Sequence, residues 1–215
     1  MRSSLGIVAS SRVRAGGGVV AVLQSKLVDS PTTITFDTKP TSGSLLLCRF
    51  GARSSSHAAT DISTGWTSAA FDGAGVQRTH IFYRVADGST TDESVTISNS
   101  GTSNRSAILQ EISGFVSSGV LDVTATTIIE SGDPIAIGPT PTSSSDVVAF
   151  AAISSRARPT YNDDWYGGFT RDWIGSSVAG GAWTPVSAAQ EFTATYGTTD
   201  STTTHVGAIA VFKVS

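Results

Sequence analysis

The stretch KPTSGSLLLCRFGARSSS, residues 39–56, joins a turn, a short apolar run and a polar loop. Its Pro-Thr-Ser-Gly sequence is typical of a turn, and the apolar run at 45–48 has the length of a buried strand. The stretch GPTPTSSSDVVAFAAISSRA, residues 138–157, has the same plan. Three residues recur there with a constant spacing of 101 positions: Thr41 as Thr142, Ser42 as Ser143 and Ser44 as Ser145. The repetition predicts two halves that supply corresponding strands to one fold.

The same spacing relates the last strand of each predicted half. Ser106-Ala107-Ile108 corresponds to Gly207-Ala208-Ile209, and Trp66 and Trp165 lie 99 positions apart. We therefore expect pseudo-halves at 19–115 and 120–215 within a single β-sandwich domain, 19–215. Leu46 should superpose on Val147, and Ile108 on Ile209. The alternative is that a β protein rich in Ser and Thr resembles itself at many spacings without any duplication.

Short alternating runs separated by turn residues fill the chain, and none has the period of a long amphipathic helix. Runs of this kind are typical of an antiparallel sandwich. The expected fold is all-β, an antiparallel, jelly-roll-like β-sandwich with an internal pseudo-repeat of about 101 residues. The expected strands are 19–25, 32–36, 45–51, 80–86, 94–98 and 106–112 in the first half, and 121–126, 134–138, 146–153, 191–197 and 205–214 in the second.

The last expected strand is apolar on both faces. Ala208, Ala210 and Phe212 share one face, whereas Ile209 and Val211 share the other. Such a strand is predicted to be central and covered on both sides. The strand at 106–112 contains a conflict, because Gln110 and Glu111 are consecutive. One of the two must face inward, or a bulge must intervene.

The composition limits the classes of partner. Charged residues make up only 14% of the chain, against roughly 25% in typical globular domains, and 61 Ser and Thr residues supply the polar surface instead. Such a surface repels its neighbours little, which suits a subunit packed among its own copies. Neither half has the dense basic patch that nucleic-acid binding needs. No apolar run reaches the ~18 to 20 residues of a membrane span, and LGIVA is too short for a signal-peptide core. We expect no nucleic-acid or membrane partner and folding in a cytoplasm.

Residues that usually carry catalysis or bind metals show no recognisable pattern. The sequence has no Gly-x-Ser-x-Gly elbow, no His-Glu-x-x-His motif and no phosphate-binding or calcium-binding loop. His57, His80 and His205 are scattered without ligand spacing. Cys48 lies in an apolar run and is expected to be a small buried hydrophobe. The sequence thus predicts a protein that is not an enzyme and has no cofactor, metal site or catalytic residue.

An ordered set of motifs in the first half resembles a known module. The motifs are SGSLLLCRFGA (42–52), TGWTSAAF (64–71), THIFYRVADGS (79–89), SVTIS (94–98) and AILQEISGF (107–115). The series resembles a β-sandwich module of tailed-phage structural proteins, of the minor tail protein and capsid decoration type, which also occurs in some bacterial surface proteins. The resemblance covers 42–115 well and the second half loosely. One departure is Ser44, where the module usually has an acidic residue.

The resemblance implies a virion structural protein of a bacteriophage, folded in the host cytoplasm before assembly. Its partners would be other virion proteins and further copies of itself, because proteins of this type are often homo-oligomers, with a trimer as the first expectation. A carbohydrate-binding adhesin or receptor-binding module that contacts a host surface glycan is the alternative. A hydrolase is a third, weaker hypothesis. The motifs contain no catalytic residue that could be carried over.

The segment YNDDWYGGFTRDWIGSSVAGGAW, residues 161–183, concentrates aromatic and charged side chains. Aromatic faces beside carboxylates suit sugar rings, and Trp, Tyr and Arg also dominate protein–protein hot spots. A third interpretation is a long loop that packs on its own sandwich. The candidate interface or glycan contacts are Asp163, Asp164, Trp165, Tyr166, Arg171, Asp172, Trp173 and Trp183.

Residues 1–18 are predicted to form an N-terminal arm that ends in Gly16-Gly17-Gly18. Consecutive glycines give the chain a freedom that a strand interior tolerates poorly. The run LGIVA at 5–9 would then pair with a neighbouring subunit by strand addition.

Overall fold

The computed structural model describes residues 12–15, 18–30, 32–53, 61–74, 77–98, 104–129, 134–155, 165–175, 179–197 and 204–215. These residues form seventeen strands and one short 3-10 turn at Thr90–Asp92. The first nine strands are β1 (Arg12–Ala15), β2 (Gly18–Asp29), β3 (Thr33–Thr35), β4 (Leu45–Arg53), β5 (Asp61–Ile62), β6 (Thr67–Ala74), β7 (Gln77–Val85), β8 (Ser94–Ser98) and β9 (Arg105–Ser113). The other eight are β10 (Leu121–Ile129), β11 (Ile135–Ile137), β12 (Val147–Ser155), β13 (Trp165–Tyr166), β14 (Thr170–Ile174), β15 (Ala179–Val186), β16 (Ala194–Tyr196) and β17 (His205–Lys213).

The strands form two large and two small antiparallel sheets. The first large sheet has the order β1-β2-β9-β4-β7-β6, and the second has the order β10-β17-β12-β15-β14. The small sheets have the orders β3-β8-β5 and β11-β16-β13. Apart from β1, the strand orders of the two halves are the same when each strand from β2 to β9 is advanced by eight.

The predicted all-β, antiparallel sandwich class is confirmed. Each expected strand overlaps an observed one, but six observed strands were not predicted: the short β1, β5 and β13, and the longer β6, β14 and β15. The β15 sequence, AGGAWTPV, has two glycines and a proline, which disfavour strands locally. It is nevertheless a strand because β12 pairs along its whole length. Tertiary pairing outweighs the local preference there.

Three apolar clusters define the layers of the molecule. One lies between the large sheets, where Leu47 and Ile81 of the first sheet meet Phe150 and Phe212 of the second. The second fills the space between the first large sheet and the small sheet β3-β8-β5. The third fills the equivalent space between the second large sheet and β11-β16-β13. The structure thus has four sheets in layers, whereas the sequence predicted a sandwich of two sheets.

This layering explains why the central strands are apolar on both faces. In β17, Ala208, Ala210 and Phe212 contribute to the cluster between the large sheets, whereas Ile209 and Val211 face the small sheet. Since side chains alternate along a strand, a strand covered on both sides needs apolar residues at every position. The prediction that this strand is central and covered is confirmed.

The expected equivalence of Ile108 and Ile209 is wrong by one residue. Leu46 and Val147 do occupy comparable positions, since each faces the small sheet of its own half. Leu46 is opposite Glu111, and Val147 is opposite Lys213, so the spacing becomes 102 in the last strand of each half. A shift of one residue turns a side chain to the other face. Ile108 accordingly packs on Trp173 in a small separate cluster, and Ile209 faces the small sheet.

Gln110 and Glu111 are both buried, on opposite faces of β9. β9 pairs regularly with β4 at these residues, whereas the pairing with β2 has a bulge at Leu23, beside Glu111. Gln110 points between the large sheets. Glu111 accepts hydrogen bonds from the backbone N–H of Thr41 at 2.7 Å, from the Ser44 hydroxyl at 3.0 Å and from the Gln24 amide at 2.6 Å. Glu111 therefore fixes the turn that leads into β4, and each of the two polar residues has its own set of partners.

The N-terminal part of the first sheet is a hairpin. β1 pairs antiparallel with the start of β2, with Arg12 opposite Ala21 and Ala15 opposite Gly18. Arg12–Ala15 and Gly18, which were assigned to the N-terminal arm 1–18, thus belong to this sheet. The run LGIVA at 5–9 and the residues Gly16 and Gly17 lie outside the described residues, so the pairing of this run with a neighbouring subunit stays a prediction. Within the described ranges, no helix has the length and apolar character needed to cross a lipid bilayer.

Glu111→Ala should destabilise the fold by about 3 kcal/mol, because it leaves the buried Ser44 hydroxyl and the partly buried N–H of Thr41 without an acceptor. Urea denaturation followed by tryptophan fluorescence measures the change. Glu191→Ala is the matched control, since Glu191 is exposed, and it should change stability by less than about 0.5 kcal/mol. Equal effects of the two substitutions would show that Glu111 does not hold the turn.

Candidate functional site

The aromatic segment predicted to carry the function is built into the second half of the sandwich. Its described parts are β13, β14 and β15, which pair with β16, with β15 and with β12, respectively. Asp163 and Asp164 lie outside the described residues. The segment is therefore not one continuous loop: most of its described side chains belong to strands.

The three tryptophans of the segment lie in three different apolar clusters. Trp165 packs against Tyr196 with ring centroids 5.3 Å apart, and Trp183 stacks on Phe150 at 6.3 Å. Trp173 packs with Ile108. A Cβ atom at Gly181 would overlap the Trp173 indole, so only glycine allows this packing. Since the three side chains are at most 8% exposed, they bind their own domain, as the self-packing interpretation describes.

A bulge in β14 explains where Asp172 points. The pairing of β14 with β15 shifts register between Arg171 and Trp173, so Asp172 is the extra residue. Because a bulge interrupts the alternation of sides, both Asp172 and its neighbour Trp173 turn into the protein. Arg171 and Tyr166 remain at the surface, and Tyr166 is 53% exposed. Among the described candidates, these two are the residues left to contact a partner or a glycan.

Asp172 forms an ion pair with Arg49 between the two large sheets. The exposed fractions of the two side chains are 8% and 0%. Arg49 also donates to the Gln110 side-chain oxygen at 2.6 Å and to the carbonyl oxygens of Ala151 and Ala182, each at 3.2 Å. The guanidinium carbon lies 5.3 Å from the centre of the Phe150 ring. The network thus joins β4 and β9 of the first sheet to β12, β14 and β15 of the second.

A small pocket adjoins this network. Its walls are mainly apolar, and Asp172 Oδ1, which is buried, accepts no hydrogen bond from the described residues. The cavity volume is ≈ 10 Å³, which is room for about one water molecule, so a sugar ring does not fit. The lining residues are Val20, Val22, Gln110, Ile112, Phe150, Asp172 and Trp183.

Ser68 and His80 form a pair that superficially resembles a nucleophile and its base. Ser68 Oγ lies 2.7 Å from His80 Nε2, and the imidazole lies between the rings of Phe71 and Phe82. Burial lowers the pKa of His80 to about 3. A base with so low a pKa removes a proton from a hydroxyl poorly at neutral pH. His80 Nδ1 has no hydrogen-bond partner among the described residues that would orient it for catalysis. We interpret the pair as packing.

Cys48 is buried and unpaired in the structure, as predicted. Burial raises the pKa of its thiol to about 12, so the thiol stays protonated at neutral pH and is a poor nucleophile. No group of three or more His, Cys, Asp or Glu side chains in the described ranges is placed to hold a metal ion.

Comparison of the chain with protein-family models, with curated proteins and with solved structures gave no match.

Arg49 and Gln110 were not predicted as site residues. A signal for Arg49 existed, because this arginine interrupts an otherwise apolar strand and a buried charge requires a partner. Its partner could not be identified from the sequence, since Asp172 lies 123 positions away on a strand that was not predicted. His80 gave no signal beyond its position in an alternating strand.

Arg49→Met should destabilise the fold by about 3 to 5 kcal/mol, because it leaves the buried Asp172 carboxylate unpaired. The double variant Arg49→Met, Asp172→Leu should recover most of this loss, since it removes both charges. Urea denaturation of both single variants and the double variant measures the coupling. Lys39→Met, at an exposed position, is the control. Additive effects of the two substitutions would contradict the proposed pairing.

His80 should make the protein sensitive to acid. The unfolded side chain takes up a proton below its ordinary pKa of 6.5, whereas the folded one stays neutral down to about pH 3. The free energy of unfolding is therefore undiminished by His80 above pH 6.5 and falls towards pH 3, by up to about 1.4 kcal/mol per pH unit. Between pH 7 and 4, the free energy of unfolding, measured by urea denaturation, should fall by about 3 kcal/mol less in His80→Gln than in the parent protein. Ser68→Ala retains the imidazole and should retain the slope; equal slopes for parent and His80→Gln would contradict this account.

Proposed function

We propose that this chain is a non-enzymatic structural protein of a tailed-phage virion, on the capsid or the tail, which works through contacts with other virion proteins and with its own copies. The observation that carries the proposal is a set of large apolar side chains that are 40% to 53% exposed although they belong to strands. Apolar side chains on rigid elements suit a protein partner, because little conformational entropy is lost when they are covered. The residues are Val19, Leu23, Phe71, Ile128 and Tyr166.

The motif residues on which the proposal rests have structural roles in the turns of the first half. The motifs at 42–115 supply β4, β6, β7, β8 and β9. Gly65 of the Gly-Trp-Thr turn has a φ of +91° and lies against the Arg84 guanidinium, where a Cβ would be 2.8 Å from Arg84 Nη1. Arg84 in turn pairs with the buried Asp92 at 3.0 Å. These contacts give the motif residues a structural task, which fits a module that has no catalytic residues.

We further propose that the two halves are a duplication of one jelly-roll unit. The support is the identical order of β2-β9-β4-β7-β6 and β10-β17-β12-β15-β14, together with the matching small sheets. In each half the first and last strands are neighbours, and each half has its own apolar cluster, as expected of a double-sheet jelly roll. The two units then pack through their large sheets.

Jelly rolls occur in viral capsid proteins and in lectins, so the fold fits the adhesin alternative equally well. The position of the aromatic residues favours the structural role. Trp165, Trp173 and Trp183, which would stack on a sugar, are at most 8% exposed. The alternative therefore rests on Tyr166 and Arg171 among the described residues.

Light scattering and sedimentation of the purified full chain should show a homo-oligomer whose stability changes little between 0.1 and 1 M NaCl. Apolar contacts are weakened little by salt, whereas contacts between charges would be screened. Binding to a glycan array is the parallel measurement. A monomer that binds a glycan, and loses this binding in Tyr166→Ala, would replace the structural proposal by the adhesin. Genes for capsid or tail proteins beside the gene of this chain would favour the structural proposal.

A further inference from the structure

The outer edge of β10 differs from the other sheet edges. β10 pairs with β17 on one side, and no described strand pairs with its other side. In the first half the corresponding strand, β2, has the extra strand β1 on that side. β6 of the first sheet contacts β10 and β17 and forms no ladder with β10. The backbone groups of β10 that point away from β17 therefore have no strand partner among the described residues.

The composition of β10 makes this edge unusually receptive to another strand. After a bulge between Leu121 and Thr124, residues 124–129 are regularly paired and read TATTII, without charge, glycine or proline. Natural sheet edges are normally protected by charges, bulges or short length. β6 has Asp72, Gly73 and a bulge, and β14 has only five residues with Arg171 and Asp172 among them. β10 lacks such protection over six residues.

We infer that β10 is the contact between two copies of this chain, which pair edge to edge and antiparallel about a two-fold axis. The inference rests on the self-association in the proposed function and names its site. The absence of charge at 124–129 favours a second copy as the partner. An edge that pairs with its own copy places like charges close together, unless the edge is uncharged. An axis through Thr126 sets Thr126 opposite its own copy and Thr124 opposite Ile128 of the partner subunit. Ile128, which is 44% exposed, is covered in this arrangement.

The arrangement predicts a dimer, in contrast to the trimer implied by the resemblance. The two second sheets become one continuous ten-stranded sheet, in which the backbone groups along both β10 edges gain partners. β-branched residues opposite one another on a sheet contribute favourably, and Thr residues can also share a hydrogen bond.

The first experiment places a charge on the edge. Thr126→Lys and Ile128→Lys should each weaken dimerisation at least about tenfold in sedimentation equilibrium and leave the circular dichroism spectrum and the melting temperature nearly unchanged. Thr35→Lys and Thr67→Lys are the matched controls, because these threonines are exposed on other strands and do not belong to the exposed apolar set. They should leave the dimer intact.

The second experiment uses the symmetry. In Thr126→Cys the two introduced thiols face each other across the axis, so a mild added oxidant should cross-link most of the protein into a dimer at micromolar concentration. Cys48 does not compete, because it is buried. Thr35→Cys, on the exposed side of β3, should give little cross-linked product.

Three outcomes overturn the inference. An oligomer that dissociates in Val19→Lys or Phe71→Lys but not in the β10 variants places the contact elsewhere and leaves the proposed function standing. If the parent protein forms trimers and the Thr126→Cys variant does not cross-link, the contact also lies elsewhere and the proposed function still stands. A parent protein that is monomeric at all concentrations removes both the β10 contact and the self-association in the proposed function, while glycan binding is judged separately on the array.

Discussion

The burial of one guanidinium group constrains the whole arrangement of the two halves. Arg49 is fully buried between the large sheets, where a charge without partners would be prohibitively costly. It is tolerated because Asp172, Gln110 and two backbone carbonyl groups surround it. These partners come from strands of both sheets, so they converge only when the sheets pack in one relative position. We interpret Arg49 as a group that selects this position, at a cost in stability that an apolar residue would not incur.

The backbone of β14 has to bend to complete this network. Without the bulge next to Trp173, the alternation of sides would direct either Asp172 or Trp173 to the solvent. Gly181 leaves room for the Trp173 indole, and the backbone carbonyl groups of Ala151 and Ala182 accept hydrogen bonds from Arg49. Glycine and the bulge, which both weaken a strand locally, thus serve the packing between the halves.

The apolar and polar side chains fall into two groups, those that hold the fold together and those that are exposed for recognition. Most aromatic side chains belong to the three apolar clusters, and several buried polar residues have structural partners, as Glu111 does at the turn before β4. Among the described residues, the groups exposed for recognition include isolated apolar side chains on strands and the uncharged edge of β10 at 124–129. Surfaces of this kind suit protein contacts, because they offer shape and apolar area without the polar groups that orient a small ligand.

The sequence by itself determined the fold class and the central strands, because alternation and doubly apolar runs such as those of β12 and β17 are local properties of neighbouring residues. It also located the turns, whose Pro, Ser and Gly residues act over four positions. Tertiary structure alone decided the partner of Arg49, the burial of Trp165, Trp173 and Trp183, and the shift that separates Ile108 from Ile209. Each of these depends on which distant strands become neighbours, and a shift of a single residue reverses the face of every side chain that follows it.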